Sequence, residues 1–262
     1  MKIKLLGLFA LVLIQCSVGA QEPTVFNPAI QQVGIYEHLD TIVSPEITLT
    51  NIADSSQVNL LNLIDKPTVI FFIYYNCPGL CSPLLGGVSD VIDRSDLILG
   101  KDYQVITISM NKDDYPSLGR KKKINYAKSF KKEIDIDSWI WLTGDSINIA
   151  KASNNLGFKF KREGKDFAHA AAIMVTSPEG KLTRYLHGTY FLPFDFKMAI
   201  VEAGKGISGP TINKVLEFCF SYDPQGKKYV FNITKISGSI ILAFALLLFL
   251  VLSLKKRKPK SN

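Results

Sequence analysis

Thr68-Val69-Ile70-Phe71-Phe72-Ile73-Tyr74-Tyr75-Asn76-Cys77-Pro78-Gly79-Leu80-Cys81-Ser82-Pro83 joins an apolar octet to two cysteines and a proline-punctuated turn. The octet is apolar at nearly every position and rich in β-branched and aromatic side chains, the signature of a strand buried on both faces of a sheet. Val105-Ile106-Thr107-Ile108-Ser109-Met110 repeats the pattern about one helix and one loop later. Between them a helix is expected from Pro83 to about Arg94, with Ser82 as N-cap and proline in the first turn. Strand, helix and strand make a βαβ unit, and hence a sheet with a parallel core.

Outward from that unit, Ile47-Thr48-Leu49 and Val58-Asn59-Leu60 alternate around Asp54-Ser55-Ser56 as a β-hairpin would. Downstream, residues 116–132 read as a basic helix and Trp139-Ile140-Trp141-Leu142 as a short strand. Asp145 can cap the next helix and Gly157 can end it. Residues 170–176 and 181–186 are strands joined by the turn Ser177-Pro178-Glu179-Gly180, and residues 194–202 close the domain as a helix. The expected class is α/β, with three layers, α/β/α, around a mixed sheet.

The ends of the chain read differently from its middle. Lys2 and Lys4 precede an apolar run, and Val18-Gly19-Ala20 offers a cleavage site, so residues 1–20 are expected to be a secretory signal peptide. Acylation at Cys16 is the weaker reading, because Gln15 is not the small residue expected before such a cysteine. Residues 21–45 form an aperiodic lead-in, 46–205 the folded domain, and 206–235 an extension. Residues 236–254 carry no charge and, at about 1.5 Å per helical residue, just span a bilayer core of about 30 Å. A basic tail, 255–262, follows at once. By the positive-inside rule the tail stays in the cytoplasm. The expectation is therefore a single-pass protein of the cell inner membrane, with its main domain in the periplasm.

The formal net charge is +8, but five of those positive charges, Lys255, Lys256, Arg257, Lys258 and Lys260, lie in the tail. An exported chain seldom meets nucleic acid, so no nucleic-acid role is expected, and Lys121-Lys122-Lys123 and Lys131-Lys132 read as a solvated face. If Cys16 leaves with the signal peptide, Cys77, Cys81 and Cys219 remain. That is too few for a disulfide scaffold. Cys219, in an apolar stretch, reads as a packing residue.

Cys77 and Cys81 stand between a strand end and a helix N-terminus. Oriented amides and the helix dipole there favour thiolates, so both cysteines are expected to be acidified. Pro78-Gly79 turns the chain tightly enough for the sulfurs to share a metal ion or to form a disulfide. Two sulfurs and one imidazole would suit Cu(I), whereas zinc usually takes a fourth ligand. Three histidines are available, His38, His169 and His187, and spacing does not choose between His169 and His187.

Tyr74-Tyr75-Asn76-Cys77-Pro78-Gly79-Leu80-Cys81, Trp141-Leu142-Thr143-Gly144-Asp145, and Phe167-Ala168-His169 followed by Ile173-Met174-Val175-Thr176-Ser177-Pro178-Glu179-Gly180 together resemble the Sco/SenC family of copper proteins. The likeness runs from about Leu60 to Ala203. It implies a thioredoxin-like fold, copper (as Cu(I) or Cu(II)) on Cys77, Cys81 and His169, and His187 as a surface residue. It further implies a metallochaperone role: delivery of copper to, or preparation of, the binuclear copper centre of cytochrome c oxidase subunit II. A thiol reductant or a second copper chaperone would be a further partner. The alternative is an enzyme, a thiol-disulfide oxidoreductase in which Cys77 attacks and Cys81 resolves. Two features depart from the family pattern: Ala168 stands where many members carry aspartate, and Met110-Asn111-Lys112-Asp113-Asp114-Tyr115-Pro116 differs from the usual Asp-Pro loop.

Overall fold

The computed structural model describes residues 33–209, the backbone of residues 220–223 and 228–231, and the helical residues 241 and 244–248. The expected signal peptide with Cys16, the first part of the lead-in, most of the 206–235 extension with Cys219, and the 255–262 tail lie outside the described residues, as does most of the 236–254 span. Among the described residues no helix is long and apolar enough to cross a membrane. Residues 241 and 244–248 of that span are exposed.

The domain is built on a seven-stranded mixed sheet. In chain order its strands are β2 (Thr48–Asn51), β3 (Gln57–Asn59), β4 (Thr68–Ile73), β5 (Gln104–Ser109), β6 (Trp139–Thr143), β9 (Ala172–Thr176) and β10 (Leu182–His187); across the sheet they run β10-β9-β4-β5-β6-β2-β3. β4, β5 and β6 are parallel, whereas β9 and β2 flank them antiparallel. Every residue of β4 and β5 is buried, as their continuous apolar runs require of central strands covered on both faces.

Among residues 33–209 four α-helices accompany the sheet: α1 (Cys81–Arg94), α2 (Pro116–Ala127), α3 (Ser146–Asn155) and α4 (Pro193–Gly204). α1 touches both α2 and α4, while α3 packs on β2 and on a further strand, β7 (Phe158–Glu163). Strand side chains alternate between faces. Phe72 stacks on Phe158, with centroids 4.6 Å apart, on the side of β7, whereas Tyr75 turns the other way, toward α2. Asp145 caps α3 as expected, accepting from the amides of Ile147 and Asn148. Gly157 follows that helix at φ +65°, where a Cβ would stand 1.8 Å from the Tyr36 carbonyl oxygen, so only glycine fits.

The structure corrects the sequence reading at four places. α1 begins at Cys81 rather than at Pro83, and Ser82 is inside it; no side chain of the N-cap residue closes this end. α2 stops at Ala127 instead of running to residue 132, because the chain turns so that the amides of Lys131 and Lys132 reach the Asp93 carboxylate on α1. Residues 158–169 form a hairpin, β7 (Phe158–Glu163) and β8 (Asp166–His169), that joins β1 (Gly34–Ile35) in a separate sheet ordered β1-β7-β8. His169 therefore ends β8, and the strand that leads into the Ser177–Gly180 turn begins at Ala172 rather than at residue 170. The described part of the lead-in is tied to the domain by β1 and by the Asp40 and Val43 amides, which donate to Leu182 and Gly180. The backbone of β11 (Phe220–Asp223) and β12 (Lys228–Phe231) forms an antiparallel hairpin.

Candidate metal centre

The chain leaves β4 at Ile73 and must turn into α1 within a few residues. Tyr75 fixes the start of that turn at three points. Its amide donates to Asp114 Oδ2 (2.6 Å), its carbonyl accepts from Lys122 Nζ (2.7 Å), and its hydroxyl donates to the Leu142 carbonyl (3.0 Å). Asp114 is buried and also accepts from the Ser109 hydroxyl (2.6 Å) and the Asn111 side-chain amide (3.1 Å). The 110–116 loop thus braces the turn that carries Cys77. Lys122 does the same, so one lysine of the expected solvated run has a structural task.

Past Tyr75 the Cys77 amide donates to the Tyr74 carbonyl (3.3 Å). The Cys77 sulfur then accepts from the amides of Gly79 (3.4 Å) and Cys81 (3.4 Å). The first amide of α1 therefore bonds a thiol sulfur, which explains why the helix starts at Cys81 without a Ser82 cap. Cys81 is fully buried, and its own sulfur accepts from the Tyr74 amide (3.5 Å).

β8 brings the third donor from the other sheet. His169 Nε2 lies 3.6 Å from Cys81 Sγ, and Nδ1 lies 2.9 Å from the Ala170 carbonyl oxygen. A carbonyl can only accept, so Nδ1 carries the proton and Nε2 offers its lone pair to the sulfurs. The Cys77 and Cys81 sulfurs and one His169 ring nitrogen all lie within 4.8 Å of one another, and among the described residues this is the group with metal-ligand geometry. Such a spread accommodates one ion, and two sulfurs with one imidazole suit a soft ion of low coordination number.

Electrostatics divides the two cysteines. Burial alone would raise Cys77, but hydrogen bonds from the Cys81 thiol and amide and from the Gly79 amide outweigh it and lower its pKa. Cys81 moves the other way: burial and then the adjacent Cys77 raise its pKa well above the ordinary range, against the opposing Tyr74 amide and Lys122 charge. The expectation of two acidified thiols holds for Cys77 and fails for Cys81, because the amides of the helix start bond the Cys77 sulfur while the Cys81 sulfur lies deep in the core beside Cys77. Burial also lowers His169, opposed by the Ala170 bond, which favours the neutral imidazole that a metal needs.

The other histidines lie elsewhere. His38 Nδ1 meets the Asn155 carbonyl (3.1 Å) and its amide donates to the Tyr185 hydroxyl (3.0 Å), a packing role. His187 Nε2 pairs with Glu37 Oε1 at 3.0 Å on the surface. Ala168 faces Lys161 across the hairpin, and the carboxylate two residues earlier, Asp166, accepts from the Tyr74 hydroxyl at 3.1 Å. Asp114, Lys122 and Asp166 went unseen in the sequence. For Asp166 a signal existed: Phe158-Lys159-Phe160-Lys161 and Asp166-Phe167-Ala168-His169 alternate around Gly164-Lys165, as a hairpin does.

Comparison with known proteins agrees with this geometry. The family model for SCO1/SenC matches residues 40–194. A SCO1 protein homolog of Bacillus subtilis (strain 168) is 27% identical over 147 residues, covering 54% of this chain and 72% of the relative. A crystal structure of an Aquifex aeolicus VF5 protein superposes with a TM-score of 0.57 at 27% identity, covering 64% of this chain and 95% of that one. Arabidopsis thaliana ScoI, solved with copper bound, shares the fold at a TM-score of 0.50 and 21% identity, covering 62% and 99%.

Proposed function

The chain belongs to the SCO1/SenC family, and from that premise we propose that it binds copper through Cys77, Cys81 and His169 and serves the assembly of cytochrome c oxidase. In this reading copper is cargo, held between two sulfurs and one imidazole and passed to the binuclear copper centre of subunit II. The observation that carries the proposal is the convergence of the three donor atoms within 4.8 Å, with the Ala170 carbonyl leaving Nε2 of His169 free to ligate. The 1–20 segment would export the domain to the periplasm and the 236–254 segment would hold it to the inner membrane, where a membrane-bound oxidase presents its copper centre. The charge-free 236–254 run and the basic tail after it support that placement.

A second reading is favoured by the asymmetry of the cysteines. Cys77 has the lowered pKa of an attacking thiol, and Cys81 sits behind it with its proton retained. Cys77 thiolate would attack one sulfur of a client disulfide and release the other as a thiolate. Cys81 would then lose its proton and attack the mixed disulfide, leaving a Cys77–Cys81 disulfide and a client with both thiols reduced. His169 has no part in that exchange.

The two readings separate when the full chain, Cu(I)-loaded in one arm and metal-free with reduced cysteines in the other, is mixed anaerobically with the metal-free copper domain of subunit II. If that domain is first reduced, copper delivery predicts that metal leaves this chain and appears on the client. If the domain is first oxidised and copper is withheld, the reductase reading predicts free client thiols and a Cys77–Cys81 disulfide. Failure of metal to move to the reduced client, with rapid reduction of the oxidised one, would replace the first reading with the second.

A further inference from the structure

The three ligands come from two sheets. Cys77 and Cys81 follow β4 of the large sheet, whereas His169 ends β8 of the small one. β8 is the open edge of that small sheet and, among the described residues, pairs only with β7. The position of His169 over the cysteines therefore depends on the short link through residues 170 and 171 to β9, which pairs with β4, and on the side-chain contacts that seat the β7–β8 hairpin on β4.

Several of those contacts are between rings. Phe72 stacks on Phe158, Tyr74 meets Phe167 with centroids 5.1 Å apart, and Tyr74 and His169 meet at near right angles at 6.3 Å. Stacked and tilted rings hold two surfaces together but resist sliding weakly, because the attraction is spread over many shallow contacts. A hydrogen bond with defined ends is what fixes register. Between Tyr74 and Asp166, at 3.1 Å, there is such a bond. One end is attached three residues before Cys77, the other three residues before His169.

We propose that Tyr74 and Asp166 are a clasp that positions the His169-bearing hairpin over the cysteine pair, so that the third ligand is held ready before the metal arrives. They are positioning residues and touch the cargo only through Cys77 and His169. The consequence for copper rests on the proposed function above, while the clasp itself exists in the metal-free protein.

The test uses the full chain and the variants Asp166→Ala, Asp166→Asn, Tyr74→Phe and the double variant Asp166→Ala/His169→Ala. A hydrogen bond of this kind contributes on the order of 1 kcal/mol, so Cu(I) affinity should fall about fivefold in Asp166→Ala. Asp166→Asn keeps an oxygen acceptor and should recover most of that loss. In the His169→Ala background Asp166→Ala should change the affinity by less than about twofold, because the clasp acts through the histidine. Without metal, Asp166→Ala and Tyr74→Phe should both speed amide exchange at Phe160, Ala168 and His169 and shift or broaden the His169 ring resonances, with β4 and β5 amides unchanged.

Unchanged exchange and unchanged His169 resonances in both variants would overturn the clasp, whatever copper does. An Asp166→Ala loss of equal size with and without His169 would overturn it too, since it would show a general weakening. Absence of Cu(I) binding in the unaltered chain would defeat the copper reading alone, and the metal-free measurements would still decide the clasp.

Discussion

Replacing Asp114 with alanine removes one buried carboxylate that accepts three hydrogen bonds, from the Tyr75 amide, the Ser109 hydroxyl and the Asn111 side chain. Tyr75 and Ser109 are buried, at 3% and 0% exposure, so their donors find no water in exchange. A buried donor left without a partner costs about 1–3 kcal/mol, whereas half-buried Asn111 can turn to solvent at little cost. Relief from holding a carboxylate in the core offsets part of the loss. The expected net destabilisation is about 3 kcal/mol. For a domain of this size about 2–4 °C is lost per kcal/mol, so thermal unfolding watched by circular dichroism should show a fall of about 10 °C. Asp114→Asn keeps one acceptor oxygen and should lose roughly half as much. Because Tyr75 begins the turn to Cys77, Asp114→Ala should also weaken Cu(I) binding when measured well below its melting temperature. A melting temperature within about 2 °C of the unaltered chain would refute the view that Asp114 braces the metal loop.

Two further outcomes follow from the same loop. A Cβ at Gly119 on α2 would lie 2.6 Å from the Tyr75 ring and 3.0 Å from Ile52, so Gly119→Ala should destabilise the domain by about 1–3 kcal/mol in urea titration and shift the near-ultraviolet signal of the Tyr75–Trp141 pair. In the reduced, metal-free chain Cys77 keeps its charge to lower pH than an ordinary thiol, because its pKa is lowered, while Cys81 stays protonated to higher pH, because its pKa is raised. Alkylation mapped by mass spectrometry should therefore mark Cys77 first, with the midpoint of its rate against pH below that of an ordinary thiol. Equal labelling, or labelling of Cys81 first, would contradict the assigned asymmetry.

The parts of this architecture that were legible in the sequence are those where local pattern and tertiary role coincide. The unbroken apolar runs of β4 and β5 can only be central strands, Asp145 is placed to cap α3, and Ser177-Pro178-Glu179-Gly180 is a turn in any context. The cysteine pair was legible for the same reason, since a strand end meeting a helix start leaves little freedom. What stayed hidden depends on contacts distant in sequence. α1 begins early because a sulfur four residues back takes its first amide, and no capping rule includes that partner. The two candidate histidines flank the same β9–β10 hairpin, so spacing could not separate them; the separation comes from β8, whose half-buried Phe167 packs on Tyr74 just past β4. Asp114 lies in a polar loop and looks like any other surface carboxylate until Tyr75 is seen above it.

The account turns on one imidazole joining two sulfurs. X-ray absorption of the anaerobic Cu(I)-loaded full chain, set beside His169→Ala, measures that directly. It should show two sulfur neighbours and one imidazole nitrogen, with the imidazole signal and much of the affinity lost in the variant. A spectrum with sulfur ligands only, unchanged by His169→Ala, would contradict the three-ligand site.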